Sequence, residues 1–492
     1  MAQTAKRGAT QIVFSFVGFG CNQAFLFLMM FLGANRSLSL GSCAIELSDG
    51  LFCLLFMMLA FGLYPRLFNR DGQLLRRGKL AAVLVASMMA GAALQGLTRA
   101  MGWDAQPLTV VACALMAVPC AWLFCAWGGL LCRESISRFV PEVFLGSALA
   151  GAICLAASVL PESGGALVMA MTAAGNGFYL AKLRSGADGG AGDAPCPPPS
   201  RATEADPEAL RLGARMVAGT LFFGLALGAV QALATVPGAA AAPGLSWSFF
   251  LFVLFSIGAL QLFGRNPLFS GISILPKVDA PAARSDEGPL DGAYRLAVVI
   301  MMAGFLAVPV LSGTSMPGEA VALAGYLAVE TVLVCLFMVM GSLSGGNAGL
   351  GLSRGLLFLF LGQALGILAA SLLQWLSAST AMAYGVGALA GVMALCAYLF
   401  LFTDRDLRSL SVVVSRQDGF ERRVERMAAA FVLSKRESEI LPFVLKGRTA
   451  ERIASELFIS KNTVDTHIRR IYGKCGVHNR QQLIDLSETL DS

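Results

Sequence analysis

Charge is scarce in this chain of 492 residues: Asp, Glu, Lys and Arg make up only 14% of it, against roughly 25% in an average soluble domain. With 56% apolar residues, the chain has too little polar surface to cover a single soluble fold of this size and too much hydrophobicity for disorder. Histidine is scarcer still. Only His467 and His478 occur, both close to the C-terminus, which excludes a histidine-ligated metal or a Ser-His-Asp hydrolase in the long apolar part. The 12 Cys are scattered with no Cys-x-x-Cys pair, so neither a zinc site nor a disulfide framework is expected. Isolated cysteines in apolar helices behave as small hydrophobes. Phosphate-binding loops, Gly-rich dinucleotide turns and paired catalytic carboxylates are missing as well. No metal, cofactor or enzymatic activity is expected.

The charge that exists is unevenly placed. Residues 1–402 hold 39 charged side chains and residues 403–492 hold 29, so lipid solvates the first part and water the second. A spanning helix needs about 20 mostly apolar residues. That window gives twelve candidates: 11–34, 43–64, 80–98, 107–131, 139–160, 163–183, 212–236, 245–264, 293–312, 319–341, 354–375 and 380–402. The first is too long for a cleavable signal peptide and lacks a small-x-small cleavage site. The fold class expected is all-α: a polytopic membrane domain of twelve helices (six plus six) over 1–402, a connector helix in 403–432, and a cytoplasmic four-helix domain over 433–492.

Loop charges fix an orientation. With the N-terminus inside, the inner connections hold 19 basic residues and the outer ones only Arg36 and Arg99, as the positive-inside rule requires. Twelve spans return the C-terminus to the cytoplasm, in a bacterial cytoplasmic membrane. Residues 184–211, rich in Gly and Pro, read as a linker that divides the spans six and six. This layout resembles the major facilitator superfamily, two six-helix halves around a central path. That family's loop after the second span runs G-x-x-x-D-R/K-x-G-R-R. Here the basic cluster Arg76-Arg77-Gly78-Lys79 is present without the Asp-Arg spacing.

Ionisable groups inside lipid are costly and mark function. Glu330, mid-span in Ala-Gly-Tyr-Leu-Ala-Val-Glu-Thr-Val-Leu-Val, is the candidate ligand or proton group, against the plainer reading of a protonated carboxylate. Glu46 and Asp49 read as solvated at the interface. Asn22, Gln23, Gln95, Asn176 and Gln231 are candidates to line a path, or else interhelical hydrogen bonds.

The tail changes character. Phe420–Phe431 alternates charged and apolar residues as an amphipathic helix does. Ser434 with Glu437 forms a capping box opening a helix to about Leu445, which Gly447 stops. Thr449 caps a second helix, about 450–457, with Ile453, Ala454 and Leu457 inward. Phe458-Ile459 makes a turn. Ser460 caps a third helix, about 461–474, with Val464, Ile468 and Ile471 on one inner stripe, and a fourth starts after Asn479. Two short helices, a tight turn and a basic third helix make a helix-turn-helix. Between Lys446 and Arg480 there are eight basic and three acidic residues, the local field that a phosphate backbone needs.

These residues also carry a resemblance. Leu433, Arg436, Glu437, Glu439, Ile440, Leu441, Gly447, Ile453, Ala454, Leu457, Ile459, Ser460, Thr463, Val464, His467, Ile468, Ile471, Lys474 and Arg480 fall in register with the LuxR-type (NarL/FixJ-like) DNA-binding domain. The resemblance implies a third helix in the major groove, with Asp465, Thr466 and Arg469 at base edges. Lys461, Asn462, Thr463, Arg470 and Lys474 would hold phosphates, with Ser460 opening the helix. It further implies a homodimer through the C-terminal helix, with double-stranded DNA and RNA polymerase as partners. The family's usual input modules are not expected here: no soluble domain precedes the helix-turn-helix to serve as a phosphoacceptor receiver, which leaves the twelve-span region as the input. His467 reads as structural or phosphate-contacting, and His478 as surface. The function expected is a membrane-integrated transcription regulator whose spans sense an unknown small-molecule ligand or a membrane state. The alternatives are a transporter with a regulatory tail and a tail that binds protein.

Overall fold

The computed structural model describes residues 2–31, 38–40, 43–45, 48–68, 78–101, 106–132, 136–160, 162–188, 207–234, 244–264, 289–311, 314–343, 348–376, 380–398, 420, 423–424, 426–457 and 459–489. The chain divides into two units, Met1–Gly189 with Ala205–Ser409, and Gly190–Glu204 with Leu410–Ser492.

In the first unit the described helices are α1 (Ala2–Phe31), α2 (Ser48–Phe68), α3 (Gly78–Ala100), α4 (Gln106–Leu131), α5 (Ile136–Ser158) and α6 (Glu162–Asp188). After the Pro-rich stretch come α7 (Pro207–Ala234), α8 (Leu245–Gly264), α9 (Pro289–Leu311), α10 (Gly318–Leu343), α11 (Ala348–Leu376) and α12 (Thr380–Cys396). Among the described residues, ten of these are long and apolar enough to cross a membrane. α6 carries charge at both ends and α12 is 17 residues long, and neither is among the ten.

Three expectations change. β1 (Leu38–Leu40) pairs antiparallel with β2 (Cys43–Ile45), so the first unit is not purely helical and the expected span 43–64 begins with a strand. Its helix starts at Ser48 and runs on to Phe68. The proposed linker 184–211 is helical at both ends, to Asp188 and from Pro207, and residues 189–206 lie outside the described residues. Asp49 is not solvated at an interface: it is 3% exposed. Glu46 lies outside the described residues.

Small residues set how closely the helices approach. A Cβ at Gly224 or Gly228 of α7 would overlap the carbonyl oxygen of Leu359 or Gln363 of α11, and one at Gly362 or Gly366 would overlap that of Leu221 or Leu225. The two backbones therefore touch directly, as small-xxx-small pairs allow in lipid. α9 and α10 meet in the same way, where Gly304 and Gly325 face the backbone of Ala322 and Met301.

Buried amides tie other helices together. Asn176 Nδ2 donates to Asn22 Oδ1 (2.7 Å), and Trp127 Nε1 donates to Asn176 Oδ1 (2.7 Å), joining α6, α1 and α4. Ser147 Oγ donates to Gln23 Oε1 (2.8 Å), and Gln363 Nε2 donates to Gln231 Oε1 (2.8 Å). Asn22, Gln23, Asn176 and Gln231 are thus interhelical hydrogen bonds, each worth about 0.6 kcal/mol in lipid. Gln95 is buried, and its carbonyl accepts from Thr98 Oγ1.

The second unit contains α13 (Lys435–Leu445), α14 (Ala450–Leu457), α15 (Lys461–Cys475) and α16 (Arg480–Thr489). Of the connector in 403–432, the helical residues described are 420, 423–424 and 426–430. Ile440, Leu441, Val444, Ile453, Val464, Ile471 and Leu483 form a buried core to which Met427 contributes. Ala454 is buried among them and small enough for α14 and α15 to cross closely.

Candidate nucleic-acid interface

Local signals in the sequence place the third helix of the tail. Ser434 and Glu437 form the reciprocal capping box of α13. Gly447, with φ 76°, ends it, a left-handed position that glycine adopts without a Cβ clash. Thr449 Oγ1 accepts from Arg452 N (3.3 Å) and caps α14. Ser460 Oγ accepts from Thr463 N (3.1 Å) and caps α15, and Gly476 closes α15 with φ 67°. Phe458 lies outside the described residues. Each side-chain cap contributes about 1 kcal/mol.

These stops and starts turn one face of α15 outward. Val464 and Ile471 are buried and Ile468 half-buried on the inner stripe, while Lys461, Asn462, Thr463, Thr466, Arg469 and Arg470 are exposed and Asp465 is half-buried. Thr466 Oγ1 donates to Asn462 O (2.8 Å), and Thr463 shares a 2.7 Å hydrogen bond with Ser460. Arg469 and Arg470 make no hydrogen bond or ion pair with another described residue. Two free guanidinium groups on one helix face can take phosphate or a base edge bidentately. Lys461 is paired with Glu451 of α14. That pair raises the Lys461 ammonium and lowers the Glu451 carboxyl from their usual pKa. His467 is half-buried, and its Nδ1 is buried without a hydrogen bond among the described residues.

Lys474 departs from the expected phosphate contact. Its Nζ donates to Glu437 Oε2 (2.7 Å) and to Val432 O (3.1 Å), so the ammonium is engaged inside the domain. Glu437, 3% exposed in its side chain, also accepts from Ser434 N (2.7 Å). A buried carboxylate must be paired, and the last turn of α15 supplies the partner. Val432 takes φ 46°, a left-handed conformation costly for a β-branched residue, and the Lys474 bond holds its carbonyl.

The Lys474 hydrogen bond, followed by that from Ser434 N, draws the Glu437 carboxyl down to about 2. A depressed folded-state pKa gives stability that is present above the ordinary carboxylate pKa of about 4.3 and is lost as pH falls towards about 2. Lys474→Met is therefore expected to destabilise residues 410–492 by about 1–3 kcal/mol at pH 7. The gap from wild type should narrow between pH 4.5 and 2. Urea denaturation followed by far-ultraviolet circular dichroism checks both, and equal midpoints at pH 7 would show the pair to be inert.

In the other unit Glu330 lies in α10 and is 4% exposed. Sequence reading passed over two groups there. Glu142 is buried in α5 and accepts from Ser15 Oγ (2.7 Å). Tyr326 stands one turn before Glu330 with its hydroxyl buried. Both lie within expected apolar spans, where a carboxylate or phenol is itself the signal.

Residues 431–487 match the family described as bacterial regulatory proteins, luxR family. Over 57 residues the chain is 42% identical to the Fimbriae Z protein of Escherichia coli (strain K12), covering 12% of this chain and 27% of that protein. Over 54 residues it is 43% identical to the oxygen regulatory protein NreC of Staphylococcus aureus (strain JH9), covering 11% and 25%. The match thus spans about a quarter of each relative. Among solved structures, the human organic anion transporter MFSD10 (TETRAN) is similar with TM-score 0.49 and 14% identity, over 79% of this chain and 98% of that one. The major facilitator superfamily transporter FucP, in the outward conformation, is similar with TM-score 0.47 and 12% identity, over 80% and 98%. With its caps, core and sequence in register, the segment 431–487 is a LuxR-family helix-turn-helix domain.

Proposed function

We propose that this chain is a membrane-integrated transcription regulator. Its first unit crosses a bacterial cytoplasmic membrane twelve times, as six plus six spans, with both ends in the cytoplasm, and senses a ligand or membrane state. Its tail binds double-stranded DNA as a homodimer through α16 and acts with RNA polymerase. The observation that carries this reading is the outward face of α15, where Arg469 and Arg470 are exposed and uncommitted above a buried apolar stripe. On this reading Asp465, Thr466 and Arg469 read base edges, with Asp465 able to accept from cytosine N4. Lys461, Asn462, Thr463 and Arg470 hold phosphates, Ser460 sets the start of the helix, and Lys474 positions its end. A sensed molecule acts by binding two arrangements of the unit unequally.

The test is capture of chromosomal DNA by the intact protein, together with a tag placed after Ser492. Enrichment of sites with two-fold symmetry is expected, with the tag shielded from external protease in whole cells. A tag cleaved from outside would overturn the reading, because DNA could not be reached.

A further inference from the structure

α10 is the most enclosed of the ten apolar helices, with 94% of its apolar window buried, and it carries two buried polar side chains that make no hydrogen bond with another described residue. Tyr326 and Glu330 stand at i and i+4, on one face, and are 2% and 4% exposed. Tyr326 Oη is buried with no hydrogen bond among the described residues, and Glu330 makes neither hydrogen bond nor ion pair with any of them. The neighbouring polar groups differ. Thr331 Oγ1 donates to Leu327 O (3.0 Å), and Ser147 bonds Gln23. Buried polar groups are nearly always paired, and an unpaired one costs about 1–3 kcal/mol.

We infer that Tyr326 and Glu330 form a binding site for an organic monocation, an ammonium carrying apolar substituents. The inference rests on reading the apolar unit as the sensing part of the regulator. The sign of the ligand follows from the company Glu330 keeps. Among the described residues of this unit, the buried carboxylates are Asp49, Glu142, Asp291 and Glu330, and no lysine, arginine or histidine is buried as a residue. An anion would lose its water and gain no counter-charge, whereas a cation gives a carboxylate at Glu330 the partner that a buried charge needs.

Hard metal cations fit poorly, since they require six or more oxygen ligands. Among the described residues no group of three or more metal-binding side chains occurs. An ammonium asks for less: one carboxylate for charge, one aromatic face for cation–π attraction, and apolar walls for its substituents. Glu330, Tyr326 and the apolar residues of α10 supply these three.

The test uses the full-length protein in lipid nanodiscs with radiolabelled benzyltrimethylammonium, empty nanodiscs being the blank. Saturable binding is expected, displaced by unlabelled probe but by neither its neutral carbon isostere neopentylbenzene nor an equal concentration of sodium chloride. Glu330→Gln should weaken binding at least tenfold and Tyr326→Leu severalfold. The inference is overturned if no saturable binding appears, if the neutral isostere or sodium displaces the probe as well, or if Glu330→Gln binds as wild type does. Should Glu330→Gln fail to elute as a single species, the wild-type competition alone still decides. DNA binding by the same preparations is measured separately. Its persistence without ammonium binding removes only this site, and its loss with ammonium binding intact removes only the regulator reading.

Discussion

Arg469→Ala combined with Arg470→Ala is expected to weaken specific DNA binding by roughly two orders of magnitude at physiological salt, leaving the tail folded. Both guanidinium groups are exposed and make no hydrogen bond or ion pair with another described residue, so their removal is expected to cost little stability. Each guanidinium removed costs about 1–3 kcal/mol of binding if it reads a base, or about one unit of salt dependence if it holds a phosphate. The single variants separate these roles. Arg469→Ala should relax sequence preference, and Arg470→Ala should weaken all duplexes alike while lowering the salt slope by about 0.9. Fluorescence anisotropy on a captured promoter duplex, titrated across salt, gives all of these values. Lys474→Met serves as the contrast, because an ammonium already paired with Glu437 should leave the slope unchanged. Full binding by the double variant would remove α15 as the reading helix.

The second large effect is expected in the membrane unit. Gly228→Leu places a side chain where the Gln363 carbonyl of α11 already stands, and backbone, unlike a side-chain tip, has no rotamer to retreat into. Overpacking of this kind costs several kcal/mol, which a marginally stable fold does not survive. Loss of the monodisperse elution peak in detergent is the expected result. Gly258→Leu, where an added Cβ meets nothing within 4 Å, should elute as wild type does. If both behave alike, the close approach of α7 and α11 is not a structural requirement.

The helix-turn-helix was legible because its signals are local. Ser434, Thr449 and Ser460 cap helices, and Gly447 and Gly476 end them, each signal acting within a few residues of itself. Long-range pairings were not legible. Lys474 looked like a phosphate contact because its partner Glu437 lies 37 residues upstream, and the capping box had already given that carboxylate a role. The ends of α6 and α7 were hidden by the Gly/Pro bias of the stretch between them, although Pro207 followed by Glu208 is a helix-start signature. The hairpin of Leu38–Leu40 and Cys43–Ile45 is too short for alternation to rise above an apolar background. Glu330 was visible as an ion in a greasy run, but its isolation was not, since that depends on what α10 packs against.

The glycine seams have a mechanical corollary. α7 is welded to α11, and α9 to α10, wherever backbone meets backbone, so each pair travels as one girder. α12 rests on α7 and on α9, one member from each girder. A slip between the girders would therefore roll α12, the last described helix of the first unit, between its two supports.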